Sequence, residues 1–302
     1  MNEPETPEAN ATGERTISWR TLRAEAADAL REAGVASPEV DAWRIVEEAS
    51  GLSGAEWILR ADEPARHRGV VALDAMVVRR AAGEPLQYVL GRWGFRTLDL
   101  MVDRRVLIPR PETEQVAEAA VGETRRVGGP ATVADLWTGS GAIALALAVE
   151  VPTAQVWATD RSAAALAVAR ANLAGIGRSG RRVRLAEGDW FGALPGDLRG
   201  RMDVVVANPP YVAEGEALPP EVARWEPAEA LVAGPTGIED LSRIVTEAPS
   251  WLSRPGALVV ELAPHQAEPV ARLAEQAGFA AVEIRPDLSG RPRMVVARFA
   301  SA

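Results

Sequence analysis

The sequence contains no cysteine, and it contains no lysine either, so all 33 of its basic residues are arginines. Without cysteine there are no disulfides, no thiolate nucleophiles and no cysteine zinc sites. Without lysine there is no Schiff-base chemistry and no phosphate-binding lysine of a P-loop. The histidines are limited to His67 and His265, which cannot form a clustered-histidine metal site. We therefore expect no metal.

Long hydrophobic runs are also missing. The longest apolar stretch, Ala142 to Val149, is far shorter than the roughly 18 residues that a membrane-spanning helix needs. The start Met1-Asn2-Glu3 lacks the basic and then apolar order of a secretion signal. With 302 residues, 47% hydrophobic and 25% charged, the composition is typical of a globular protein without membrane contact, and we expect a cytoplasmic location. A net charge of -9 argues against a nucleic-acid surface.

The chain before residue 111 divides into three predicted segments. Residues 1–16 mix Glu, Pro, Thr and Ala without a period, which predicts a disordered tail. Residues 17–85 repeat apolar positions at helical spacing and predict a helical bundle, with Ser18 as the first N-cap and Gly51 as a stop. Up to Glu84 there are 16 acidic and 10 basic residues, a poor balance for binding DNA phosphates. Residues 86–110 alternate and predict a linking β-hairpin with its turn at Asp103-Arg104-Arg105.

Residues 111–302 form the fourth predicted segment, in which strands and helices alternate. This order predicts an α/β domain with a parallel sheet and helices on both faces. The last two of its seven predicted strands, Ala280 to Arg285 and Arg293 to Phe299, have no helix between them. Such a pair must be antiparallel, because parallel neighbours need a long crossover.

The segment Asp135-Leu136-Trp137-Thr138-Gly139-Ser140-Gly141 lies between the first strand of this domain and its helix. Small residues there let backbone amides and a helix N-terminus approach a ligand at the carboxyl edge of the sheet. Asp160 ends the second strand, where its carboxylate can accept hydrogen bonds from both hydroxyls of a ribose. The glycine-rich loop and Asp160 together indicate a nucleoside cofactor. A plain strand-to-helix bend and an aspartate that caps a helix before Ser162 are the alternatives.

The segment Asn208-Pro209-Pro210-Tyr211 follows an apolar strand and is either a simple loop or a methylation site. Methylating a planar amide or aryl amine requires acceptors for both N–H groups, so that the nitrogen lone pair is directed at the methyl group. The Asn208 side-chain oxygen and the Pro209 carbonyl can accept these hydrogen bonds. The prolines fix the geometry, and Tyr211 packs on the planar group. Together with the glycine loop and Asp160, this pattern indicates an amino methyltransferase.

The sequence resembles the protein-(glutamine-N5) methyltransferases of the PrmC/HemK family, which modify peptide chain release factors. The resemblance rests on Gly83-Glu84-Pro85-Leu86-Gln87-Tyr88-Val89-Leu90-Gly91, on Val106-Leu107-Ile108-Pro109-Arg110-Pro111-Glu112-Thr113-Glu114, on Asp189-Trp190-Phe191, on Trp225-Glu226-Pro227 and on the Asn208 motif. It implies a class I (Rossmann-like) methyltransferase fold, a mostly parallel seven-stranded sheet with an antiparallel last strand, behind a small helical bundle that helps to recognise the release factor.

The resemblance also implies a cofactor, a substrate and their contacts. S-adenosylmethionine would donate a methyl group to the glutamine of the release factor Gly-Gly-Gln (GGQ) loop. The expected cofactor contacts are Trp137, Thr138, Gly139, Ser140, Gly141, Asp160, Trp190 and Asn208. The expected substrate contacts are Asn208, Pro209, Pro210 and Tyr211, of which Asn208, Pro209 and Tyr211 would carry the chemistry. We expect a monomer that does not bind nucleic acid.

The chain departs from the family pattern at two places. Trp137 stands where the family usually has a small residue, and we expect its indole to turn away or to line the cofactor edge. Glu261 is followed by Leu262-Ala263-Pro264 instead of the family's usual Gly or His, in a segment that we expect to bear less directly on the chemistry. Two alternatives stay open: a methyltransferase of DNA or RNA exocyclic amines, and a non-catalytic binding module in which Trp137 closes the pocket.

Overall fold

The computed structural model describes residues 17–300; the disordered tail predicted over residues 1–16 lies outside them. The chain divides into two compact units after Leu90. Within residues 17–300, no helix has both the length and the apolar character to cross a membrane. The same residues contain no group of three or more His, Asp or Glu side chains placed to hold a metal ion.

The first unit is helical. Its helices are α1 (Trp19–Glu32), α2 (Pro38–Ser50), α3 (Gly54–Arg60), α4 (His67–Ala81) and the short α5 (Leu86–Leu90). The Ser18 side chain caps α1 by accepting from the Thr21 amide, as the sequence predicts. Gly51 ends α2 in the left-handed conformation, which glycine adopts at no steric cost. The apolar faces of these helices bury a core that includes Leu30, Ile45 and Trp57.

The hairpin lies at the start of the second unit and is shorter than predicted. Strands β1 (Arg92–Phe95) and β2 (Leu98–Met101) pair antiparallel, so the chain reverses at Arg96 and not at Asp103-Arg104-Arg105. Arg96 takes a left-handed φ of 53°, which a non-glycine residue adopts only when other contacts hold it. Its amide donates to Glu114, and its guanidinium binds Glu150. These partners are remote in sequence, which is why strand alternation did not locate the turn.

The remaining elements build the α/β sheet. In chain order they are α6 (Pro111–Arg126), β3 (Ala131–Leu136), α7 (Ala142–Glu150), β4 (Ala154–Asp160), α8 (Ala163–Gly175), β5 (Val183–Glu187), β6 (Met202–Ala207), β7 (Val212–Ala213), α9 (Pro220–Trp225), β8 (Val232–Gly234), α10 (Glu239–Glu247), β9 (Leu252–Glu261), α11 (Ala267–Gln276), β10 (Ala281–Pro286) and β11 (Pro292–Arg298). The two-residue β7 pairs with β8 in a separate ribbon.

The main sheet has seven strands in the order β10-β11-β9-β6-β3-β4-β5. Strand β11 is antiparallel to both of its neighbours, and the other pairings are parallel. Helices cover both faces. Neighbouring residues of one strand, such as Val133 and Ala134, point into different apolar clusters, one packed with α6 and α7 and the other with α10 and α11. The predicted fold class is confirmed, and the parallel strands β3, β4, β6 and β9 bring their carboxyl ends to one edge.

Candidate active site

Asp135 holds the loop between β3 and α7 through hydrogen bonds. This carboxylate is 1% exposed, and its Oδ2 accepts from the Thr138 hydroxyl at 2.6 Å and from the Ala144 amide at 3.0 Å. Burial raises the pKa of Asp135 to about 7. Among the residues that the structure describes, Oδ1 of Asp135 is a buried oxygen without a hydrogen-bond partner. It lies in the wall of a cleft, where a cationic donor would satisfy it.

Asp160 stands opposite this loop at the end of β4. Its Oδ2 accepts from the Gly139 amide and its Oδ1 from the Ser162 amide, both at 2.9 Å. Burial raises the pKa of Asp160. Ser162, and not Asp160, caps α8 by accepting from the Ala165 amide, so the capping alternative does not explain Asp160. Each carboxylate oxygen retains a further acceptor position, and the residue lines the cleft.

Trp137 lies in this loop with a left-handed φ of 67°. Its indole stacks on Trp190 with ring centroids 4.6 Å apart, and the Arg161 guanidinium lies 4.4 Å from the centroid of the Trp137 ring. The indole is therefore part of a stack, and it lines the cleft without filling it. Trp190 is only 2% exposed. It packs against Trp137 and is not among the residues that line the cleft.

The cleft is partly open to solvent. Six of the residues predicted from the sequence line it: Trp137, Thr138, Gly139, Ser140, Asp160 and Asn208. Gly141 instead begins α7 with a φ of 87°. Three further residues line the cleft that were not predicted from the sequence as site residues: Arg105, Thr113 and Glu229.

The Asn208 motif follows β6 at the same edge of the sheet. Pro209 and Pro210 are buried, whereas Asn208 and Tyr211 are partly exposed. The Asn208 Nδ2 donates to the Thr113 hydroxyl at 3.2 Å. Asn208 is the member of the motif that lines the cleft.

The motif is tied to Glu261, at the end of β9. The Thr113 hydroxyl donates to Glu261 Oε2 at 2.7 Å, and the Tyr211 hydroxyl donates to Oε1 at 3.3 Å. Burial raises the pKa of Glu261 to about 7, and burial beside this carboxyl also raises the pKa of Tyr211. The structure thus links Glu261 to the Asn208 motif, which was not predicted from the sequence, and the expectation that its segment bears less directly on the chemistry stays a prediction. The signal was present in the sequence, because Glu261 ends a parallel strand at the edge where ligands bind.

Sequence comparisons agree with this geometry. The PrmC N-terminal domain family matches residues 21–91, and the methyltransferase small domain family matches residues 125–224. A release factor glutamine methyltransferase of Cereibacter sphaeroides is 40% identical over 289 residues, which cover 92% of this chain and 99% of the relative. The protein of the same name from Deinococcus radiodurans is 41% identical over 284 residues, 93% of this chain and 99% of the relative. In fold, the chain is similar to a methyltransferase from Pyrococcus furiosus, with a TM-score of 0.50, 18% identity, and coverage of 68% of this chain and 90% of that one.

Proposed function

The chain belongs to the release factor glutamine methyltransferase family, and from this premise we propose that it methylates the side-chain amide nitrogen (N5) of the glutamine in the GGQ motif of peptide chain release factors. The observation that carries the proposal is the 40% identity over 99% of a relative of that name. The chain's own cleft supports it, because Asn208 lies at the edge of a pocket suited to a nucleoside cofactor.

The residues of the cleft fit S-adenosylmethionine. Asp160 has free acceptor positions for ribose hydroxyls, and the unpartnered Oδ1 of Asp135 suits the positively charged part of that molecule. Thr138, Gly139 and Ser140 would border it, with Trp137 along one wall and Trp190 supporting that wall. When bound, the cofactor supplies a methyl group on a sulfonium sulfur.

The chain's own residues orient the acceptor nitrogen. The Asn208 Oδ1 and the Pro209 carbonyl would each accept one N–H of the glutamine amide, which leaves the nitrogen lone pair directed away from both. Pro209 and Pro210 are buried and have a restricted backbone, so these acceptors are held in advance of binding. Tyr211 would pack on the plane of the amide. No strong base is needed, because the amide proton becomes acidic as the new bond forms.

The proposal extends to the rest of the chain. We assign the helical unit, residues 17–85 of the sequence prediction, to release factor recognition. Its α3 exposes Ile58 and Leu59, at 76% and 80%, and apolar side chains this exposed are suited to contact with another protein. Since release factors act on ribosomes, we place the protein in the cytoplasm. A monomer without affinity for nucleic acid stays our prediction.

The direct test is incubation of the full chain with S-adenosylmethionine and a purified release factor, followed by peptide mass spectrometry. We expect one added methyl group on the GGQ glutamine, and none when that glutamine is changed to alanine. Asn208→Ala should abolish turnover while calorimetry still detects cofactor binding. Methylation of DNA or RNA in place of the release factor would overturn the proposal in favour of a nucleic-acid amine substrate. Absence of any cofactor binding would overturn it in favour of a closed pocket.

A further inference from the structure

A buried hydrogen-bond chain runs from Glu261 through Thr113 to Asn208. Glu261 is 1% exposed and Thr113 is 4% exposed. The Thr113 hydroxyl lies 2.7 Å from Glu261 Oε2, and the Asn208 Nδ2 lies 3.2 Å from the same hydroxyl. The three residues come from the end of β9, the first turn of α6 and the loop after β6. Three separate segments of the second unit thus converge on one side-chain amide.

While Glu261 is ionised, the hydrogen bonds of this chain have one direction. A threonine hydroxyl carries a single hydrogen, and an ionised carboxylate can only accept. Glu261 receives the Thr113 hydrogen on one oxygen and the Tyr211 hydrogen on the other. The Thr113 oxygen can therefore only accept from Asn208, and the donor of the Asn208 amide is Nδ2. Oδ1 of Asn208 then points away from Thr113, across the Cβ–Cγ axis from Nδ2, and remains available as an acceptor.

We propose that Glu261, acting through Thr113, orients the Asn208 amide so that Oδ1 and not Nδ2 faces the nitrogen to be methylated. Both are positioning residues, because they act on Asn208 and not on the substrate. The inference rests on the proposed function, in which Oδ1 accepts an N–H of the glutamine amide. In the flipped orientation Nδ2 would oppose that N–H, and two donors facing each other leave both without a partner.

The ionisation of Glu261 controls the direction of the chain. The groups that face its carboxyl are Thr113 and Glu112 of α6, Tyr211 after β6 and Arg293 of β11. Burial raises the pKa of Glu261 to about 7, although the positive charge of Arg293 opposes this rise. A protonated Glu261 can donate to Thr113, which frees the Thr113 hydrogen to donate to Oδ1 of Asn208. The orientation that favours substrate binding is therefore enforced less strongly as the pH falls through about 7.

The test compares the pair of Glu261 and Thr113 with a second buried pair of a glutamate and a threonine in the full-length protein. Glu261→Gln and Thr113→Val break the chain, and Thr113→Ser preserves it. Glu123→Gln and Thr124→Val are matched controls, because Glu123 and Thr124 are also buried in α6 but bind Arg298 and the Ala120 carbonyl. We expect Glu261→Gln and Thr113→Val to lower kcat on a release factor by about 10- to 100-fold. The cofactor Kd should change by less than about threefold, and Thr113→Ser and both controls should keep the wild-type kcat.

Two readouts separate positioning from a purely structural role. The wild-type rate should fall below about pH 7, and Glu261→Gln should remove that inflection. In nuclear magnetic resonance spectra, the Asn208 side-chain amide protons, assigned with Asn208→Ala, should exchange slowly in the wild type and rapidly in Thr113→Val. If Glu261→Gln and Thr113→Val match the controls in rate, pH profile and exchange, the positioning role is overturned. Absence of release factor methylation by the wild type overturns the proposed function instead, and the exchange measurement still decides the orientation of Asn208.

Discussion

Replacing Trp137 with glycine separates two opposing effects in the cofactor loop. The left-handed backbone, with a φ of 67°, costs a residue with a Cβ about 1–2 kcal/mol, and glycine removes this cost. The loss of the indole opposes this gain in stability. The indole is half-buried, and it stacks on Trp190 with ring centroids 4.6 Å apart. Truncating a fully buried tryptophan costs about 3–5 kcal/mol, so half burial corresponds to about 2 kcal/mol.

Two smaller losses of stability add to the cost of removing the indole. The Arg161 guanidinium, 4.4 Å from the Trp137 ring centroid, contributes roughly 0.5–1 kcal/mol. Glycine also has more freedom to lose on folding, at a cost of about 0.5–1 kcal/mol. The net expectation is a destabilisation of about 1–3 kcal/mol, which lowers the Tm of a unit of this size by roughly 2–12 °C.

The assay is scanning calorimetry of the wild type, Trp137→Gly and Trp137→Ala, together with titration of S-adenosylmethionine. Alanine removes the indole and keeps the left-handed strain, so the Tm should decrease in the order wild type, Trp137→Gly, Trp137→Ala. A Trp137→Gly variant with a higher Tm than the wild type would contradict the stacking argument. An alanine variant at least as stable as the glycine variant would contradict the strain argument. Cofactor binding by Trp137→Gly but not by the wild type would show that the indole closes the pocket.

Three further predictions concern other parts of the molecule. Gly69→Ala should destabilise the helical unit by about 1–3 kcal/mol in denaturant unfolding, because the new Cβ would lie 2.6 Å from the Trp19 ring; unchanged stability would show that the ring moves aside freely. Asp160→Ala should weaken S-adenosylmethionine binding at least about tenfold in calorimetry, and an unaltered Kd would remove Asp160 from the cofactor site. Burial raises the pKa of Asp135 to about 7 in the folded state, against about 4 in the unfolded chain. The folded protein therefore retains a proton between these values, and the free energy of unfolding should fall as the pH rises from about 4 to about 7, by at most about 4 kcal/mol. Asp135→Asn should remove that part of the pH dependence, and an unchanged slope would contradict the shifted pKa.

The sheet could be predicted from the sequence because its signals are local. Apolar runs such as Asp203-Val204-Val205-Val206-Ala207 belong to strands buried on both faces. The missing helix between the last two strands requires an antiparallel pair, and β11 is antiparallel to β10. The glycine loop and the Asn208 motif also lie at strand ends, so the sequence predicts that they meet at one edge of the sheet.

The interactions that hold the site together could not be predicted from the sequence. Thr113 and Glu261 are 148 positions apart and joined by one hydrogen bond of 2.7 Å, and no spacing rule connects them. The turn at Arg96 is fixed by Glu114 and Glu150, again through contacts that form only in the folded chain. Local propensity predicts the elements, whereas the orientation of a single side chain depends on partners supplied by tertiary structure.

The position of Trp137 follows from the local sequence, whereas its contacts come from the tertiary structure. It stands in a glycine-rich loop, where its φ of 67° is unfavourable for a residue with a Cβ. The loop sequence does not contain the residues that support the indole, because Trp190 comes from the segment after β5 and Arg161 from the segment after β4. Both neighbours lie outside the loop, and they hold the indole of the residue that departs from the family pattern in the wall of the cleft. The substitution of Trp137 by glycine should accordingly lower the stability of the second unit, and its effect on the shape of the pocket should be small.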